Sequence, residues 1–154
     1  MQYDLEKISR CFALEGNFVF AQSYGEGHIN DTYLITTSKE KYIIQRVNNS
    51  VFKNPVQVIE NIVAVTSYLA EIIKENGGNP KRETLTLIPA TDGKMYHKEP
   101  DGSIFRAYLF IADAICYQLI EDKKQFYSSG KAFGKFQSML KDFPAQKLYE
   151  TIPD

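Results

Sequence analysis

Residues 18–47 read FVFAQSYGEGHINDTYLITTSKEKYIIQRV, three runs rich in β-branched and aromatic residues separated by two polar breaks. The runs predict strands over 18–23, 32–37 and 41–47. The second break, Ser38-Lys39-Glu40, is a short polar turn. The first holds Gly25 and Gly27 one residue apart, followed by His28, Asn30 and Asp31. Glycine permits φ > 0 and lets neighbouring backbone N–H groups converge on an anion. A lone Gly-x-Gly is more often a polar hairpin turn, so the weight falls on the elements that follow. No Gly-Lys-Ser/Thr string occurs, which excludes a Walker-type loop. In the third strand, period two puts Tyr42, Ile44 and Arg46 on one face and Ile43, Gln45 and Val47 on the other.

Working outward, residues 4–14 carry Leu5, Ile8 and Phe12 at helical spacing, with Asp4 as N-cap and Gly16 as stop. Downstream, Pro55 can open a helix as its first residue. Val58, Ile59, Ile62, Val65, Leu69, Ile72 and Ile73 then recur at three and four, up to Asn76-Gly77-Gly78. Glu60 lies on this helix. It reads either as an ordinary solvent-facing carboxylate or as the partner of the basic side chain that ends the third strand. Residues 80–111 read as β-rich, with strands over 84–89, 94–98 and 103–111 and hairpin joins at Asp92-Gly93 and Asp101-Gly102. A connector over 112–118 leads to a helix over about 121–141, whose expected buried face is Phe126, Ala132, Phe133, Phe136, Met139 and Leu140. Residues 146–154 show no period.

Lysine and arginine number 18 against 19 acidic residues, a net charge of −1. That balance gives no support to a nucleic-acid or membrane-surface partner. Neither cysteine, Cys11 nor Cys116, has metal-ligand spacing, and both sit among apolar residues. The N-terminus has no apolar signal core and no run is read as a membrane span, so the expected setting is a reducing cytoplasm.

Helix, three strands with a glycine loop, long helix, two or three strands, connector, helix: this order is that of a kinase-type first lobe and the opening of a second. The strings 24–33 (YGEGHINDTY), 42–48 (YIIQRVN), Val51-Phe52, 58–62 (VIENI) and 149–154 (YETIPD) resemble the aminoglycoside phosphotransferase superfamily. Within it they resemble the N-acetylhexosamine 1-kinase branch, over nearly all of the chain. The expected fold class is therefore α+β, a mostly antiparallel sheet of about five strands with an inserted long helix. Residues 1–111 would form the nucleotide-binding lobe and 112–154 the hinge connector and the start of a helical second lobe.

The resemblance implies transfer of the γ-phosphoryl of ATP to a hydroxyl of a small sugar, an N-acetylhexosamine first among them. Residues Gly25 to Asn30 would cover the phosphates, with Gly27 in the loop and Asn30 holding its shape. His28 would either reach a phosphate oxygen or be a plain polar residue at the tip. The strand-end cation would bind the α- and β-phosphates. Two assignments compete, Arg46 carrying the charge or Gln45 occupying the position with the cation lost. Arg46 is favoured because a neutral amide cannot balance phosphate charge. Glu60 would pair with Arg46, Ile44 or Ile43 would wall the adenine, and backbone between Leu109 and Ile111 would meet its edge. The sequence departs from the family in one respect. No H-x-D-x-x-x-x-N catalytic loop is present, and His97-Lys98-Glu99 lacks the aspartate. The base and the Mg²⁺ ligands would lie outside this chain, which reads as an N-terminal portion, inactive alone, that could dimerise through its exposed C-terminal helix. The alternative is a non-catalytic kinase-like module that binds a partner protein.

Overall fold

The computed structural model describes residues 3–25, 27, 29–114, 119–120 and 122–152. Its centre is antiparallel. Strands β1 (Phe18–Ser23), β2 (Asp31–Thr37) and β3 (Lys41–Val47) form a meander, and β3 then pairs with β6 (Ile104–Leu109) rather than with its next neighbour in sequence. The far edge of β6 is shared by two short strands end to end. β4 (Leu87–Ile88) pairs with Tyr108 and Ala107, and β5 (His97–Lys98) with Phe105 and Ile104.

Alternation gives the sheet two apolar faces. Ile35, Tyr42, Ile44, Phe105 and Ala107 form one, closed by Ile8 and Phe12 from the N-terminal segment. Helix α1 (Leu5–Ser9) opens there with Asp4 accepting a hydrogen bond from Lys7 N–H. It is shorter than its spacing suggests, because residues 11–13 leave the helix to pair with 89–91. Ala13 N–H donates to Pro89 O and Thr91 N–H to Cys11 O. Gly16, at φ +85, sits where a Cβ would lie 2.9 Å from Lys39 N and Ser38 Oγ, so this turn requires glycine.

The other face carries Val47 and Ile104 and is covered by α2 (Pro55–Glu75) through Ile59, with Val56 and Val63 beside it. Pro55 is its first residue, as the sequence predicts. By length and composition α2 is apolar enough to cross a membrane. Here it packs on the sheet by one side and meets residues 143–149 elsewhere along its length. Asn61 donates its side-chain amide to Tyr149 O (2.8 Å) and accepts from Tyr149 N–H (2.9 Å). Tyr68 and Phe143 meet edge to face. The aperiodic tail thus docks through the Asn61 side-chain amide on its main chain and one ring contact, which leave no trace in hydrophobic spacing.

Three expectations change. The Asp92-Gly93 turn forms, with Ala90 N–H donating to Lys94 O, but no strand pair flanks it because residues 89–91 are taken by 11–13. The Asp101-Gly102 turn does join paired strands, β5 and β6. A short helix α3 (Pro80–Glu83) replaces part of the β-rich stretch; Asn79 capping Lys81 N–H, with proline next, was its legible signal. Helix α4 (Lys123–Met139) forms behind Asp122, yet its expected buried face is exposed. Phe126, Phe133 and Phe136 stand in solvent, and only Met139 and Leu140 are half-buried.

Phe105 is fully buried between α1 and the sheet. Phe105→Ala should cost about 3–5 kcal/mol in urea unfolding; a loss below about 1 kcal/mol would contradict this core. Asn61→Ala should leave the sheet intact but speed amide exchange at Tyr149, for about 1 kcal/mol or less of global stability.

Candidate functional site

The glycine turn between β1 and β2 is closed at its base by Tyr24 N–H donating to Thr32 O (2.9 Å). Gly25 adopts φ +76, so the backbone conformation of the turn requires glycine there. Neither has protein atoms within 4 Å of where a Cβ would lie, so both backbones face open space. Asn30 Oδ1 accepts from Asn48 N–H (2.9 Å), tying the loop to the end of β3. Tyr24 packs edge to face on Phe110 after β6. His28 lies outside the described residues, as does Cys116.

The third strand decides which side chains can serve a ligand. Ile44 is 0% exposed and points into the core under α1, so its side chain cannot wall a bound base. Its neighbour Ile43, on the opposite face, is half-buried. Arg46 shares the Ile44 face. It forms an ion pair with Asp31 (Nη2 to Oδ2, 2.6 Å) and lies over the Tyr3 ring. The hydrogen bond that Arg46 donates to Asp31 raises its pKa, so this guanidinium already has its counter-charge. The expected Arg46–Glu60 pair is therefore not formed. Glu60 lies on α2, across the sheet from Arg46. It is exposed on a groove of about 530 Å³ lined also by Val56, Val63, Lys94 and Tyr96.

On the α2 side of the sheet, beside the glycine turn, a row of polar side chains crosses three strands. Register aligns Thr32, Gln45 and Arg106. Gln45 Nε2 donates to Thr32 Oγ1 (2.9 Å), and Gln45 Oε1 accepts from Arg106 Nε (3.1 Å) and Nη2 (2.6 Å). Arg106 is only 8% exposed, and its Nη1 is buried without a hydrogen-bond partner. The guanidinium stacks over Tyr108 at 5.4 Å and forms no ion pair among the described residues. Burial pulls its pKa down, with partial relief from Tyr108. Burial likewise pushes the Tyr108 phenol up to about 12, with Arg106 opposing. A base whose folded pKa falls is disfavoured in its charged form. At every pH below that pKa, the Arg106 charge therefore weighs against the fold.

Gln45, not Arg46, thus faces the α2 side, and the cation there comes from the next strand. Sequence reasoning passed over Arg106. Its signal was a lone charge in the apolar run Ile104-Phe105-Arg106-Ala107-Tyr108-Leu109.

At the end of β6, Leu109 N–H donates to Thr86 O and Phe110 N–H to Lys41 O. Among the described residues, Ile111 N–H has no backbone partner. No group of three or more His, Cys, Asp or Glu side chains suited to a metal occurs among the described residues.

No family model matches the sequence. Among solved structures, the fold matches a crystal structure of the spectinomycin phosphotransferase APH(9)-Ia in complex with ADP and spectinomycin, with a TM-score of 0.52 and 13% identity. The match covers 88% of this chain and 37% of that protein. The chain therefore shares its α+β fold with a part of that phosphotransferase.

Gln45→Leu would leave Arg106 buried with no acceptor and should cost about 2–3 kcal/mol in urea unfolding. Asp31→Asn, at the half-exposed Arg46 pair, should cost about 0–1 kcal/mol. Equal effects would place the two arginines in equivalent settings, against this geometry.

Proposed function

We propose that this chain is the ATP-binding portion of a small-molecule kinase that phosphorylates a sugar hydroxyl, with an N-acetylhexosamine as the first acceptor to test. The observation that carries the reading is the open glycine turn beside a buried, unpaired cation, on a fold shared with a phosphotransferase solved with ADP. Phosphate oxygens would meet the Gly25–Gly27 backbone, with Asn30 holding the turn. Ile111 backbone would meet the adenine edge next to Leu109, and Ile43 is better placed than Ile44 to lie against the base.

ATP is used as its Mg²⁺ complex by such enzymes, and the metal would neutralise phosphate charge. Among the described residues, the side chains in the row on the α2 face beside the glycine turn are an amide, a hydroxyl and a guanidinium, which do not suit Mg²⁺, and the Asp31 carboxylate on the opposite face is taken by Arg46. The metal's ligands would lie elsewhere in the complete enzyme, as would the aspartate base that the sequence lacks. Glu60 faces the groove that Lys94 and Tyr96 line and takes no part in this reading of the phosphate site. A cytoplasmic setting follows from ATP as donor.

The 154-residue chain should bind ADP measurably by calorimetry but release no ADP from ATP on addition of N-acetylhexosamines. Absence of any nucleotide binding would remove the reading; sugar-dependent ADP release would overturn the inactive assignment. The non-catalytic alternative draws on one observation, the exposed aromatic side chains of α4, Phe126, Tyr127, Phe133 and Phe136. In either reading that surface favours association of two copies, and a monomer at high concentration in light scattering would count against it.

A further inference from the structure

We infer that Arg106 is the phosphate-binding cation of this chain, supplied from β6 in place of a basic residue on β3, and that Gln45 is its positioning residue. The inference deepens the nucleotide reading and rests on it for the identity of the anion, the phosphate chain of a nucleoside di- or triphosphate.

Buried guanidinium groups are almost always paired, because desolvation of an unpaired charge is costly. Arg106 is 8% exposed and meets one neutral amide oxygen and one aromatic ring, with Nη1 unsatisfied. A carbonyl dipole orients a cation but does not neutralise it. The missing partner is an anion. Its position narrows the class. Arg106 ends a row that begins at Thr32, the second residue after the glycine turn, on the sheet face that also carries half-buried Gln45 and Ile43. An anion held by the turn reaches the guanidinium along that row, joining or displacing Gln45 Oε1. Arginine presents several donors in a rigid fork and matches phosphate oxygens better than a point charge.

Arg46 is excluded from this role by its own geometry. It faces the α1 side, and Asp31 already neutralises it. A glutamine at position 45 is then not a lost cation. It is the group that holds one edge of Arg106 while leaving Nη1 unengaged.

The test uses pyrophosphate, ADP and adenosine as probes, calorimetry for affinity, and NMR of arginine Hε–Nε resonances in the folded wild-type chain. The Arg106 resonance is assigned by its loss in Arg106→Lys. Pyrophosphate and ADP should shift that resonance, and adenosine should not. Arg106→Gln should weaken both anions about ten- to a hundred-fold and leave adenosine unchanged. Arg46→Gln should change neither anion by more than about three-fold. If Arg106→Gln does not fold, the wild-type resonance shift alone decides. Pyrophosphate binding that moves the Arg106 resonance, with no added affinity for ADP, keeps the anion site and removes the nucleotide reading. ADP binding with an unmoved Arg106 resonance keeps the nucleotide reading and overturns this one. No binding of either anion by the wild type overturns both.

Discussion

Everything in this fold depends on the antiparallel pairing of β3 with β6, residues that meet across about sixty positions of intervening chain. Its register sets Ile44 beside Ala107 and Gln45 beside Arg106. Because side chains alternate, the same register builds the α1-side core from one set and the α2-side row from the other. A slip of β6 by one residue would bury Arg106 under α1 and turn Phe105 towards α2. The apolar side of the ledger, Ile35, Ile44, Phe105 and Ala107 fully closed, holds that register firmly enough to keep a buried guanidinium beside it.

Around this pairing the structure closes its edges by different means. The far side of β6 is divided between β4 and β5, and residues 89–91 turn away to pair with the N-terminal segment. Helix α2 rests on the sheet through Ile59 and accepts the tail through Asn61 and Tyr68. Helix α4 is held to the rest by less. Lys135 pairs with Glu83 of α3 (2.8 Å), and Met139 lies beside Ile73 and Gly78. Its aromatic side chains remain uncovered, so its periodicity records a buried face for which the described residues provide no cover.

The two arginines show how function follows from compensation. Arg46 is half-exposed, bonded to Asp31 and stabilised in its charged form. Arg106 is buried, held by an amide and destabilised in its charged form. A charge already neutralised contributes to the scaffold; a charge kept without a counter-ion is available to a ligand. Placing the second kind beside a glycine turn whose backbone faces open space puts fixed positive charge next to an open turn at one end of the sheet.

Local signals were enough for the three-stranded meander, for α2 behind Pro55, for the cap at Asp4, and for the turns at Gly93 and Gly102. Those features depend on periodicity, proline and glycine geometry and capping within a few residues. Alternation alone also separated Arg46 from Gln45. What it could not say was which face the long helix would cover, since both faces of β3 are apolar enough to be buried. That choice belongs to long-range packing: α1 with Phe12 took the Ile44 side, and α2 with Ile59 took the Val47 side. The partner of Gln45 was likewise invisible, because cross-strand register between residues 45 and 106 exists only once the sheet has formed. The sequence by itself determined the three-stranded meander, the two long helices and a glycine turn; tertiary structure alone decided that Arg46 is neutralised by Asp31 and that Arg106, among the described residues, has no counter-charge.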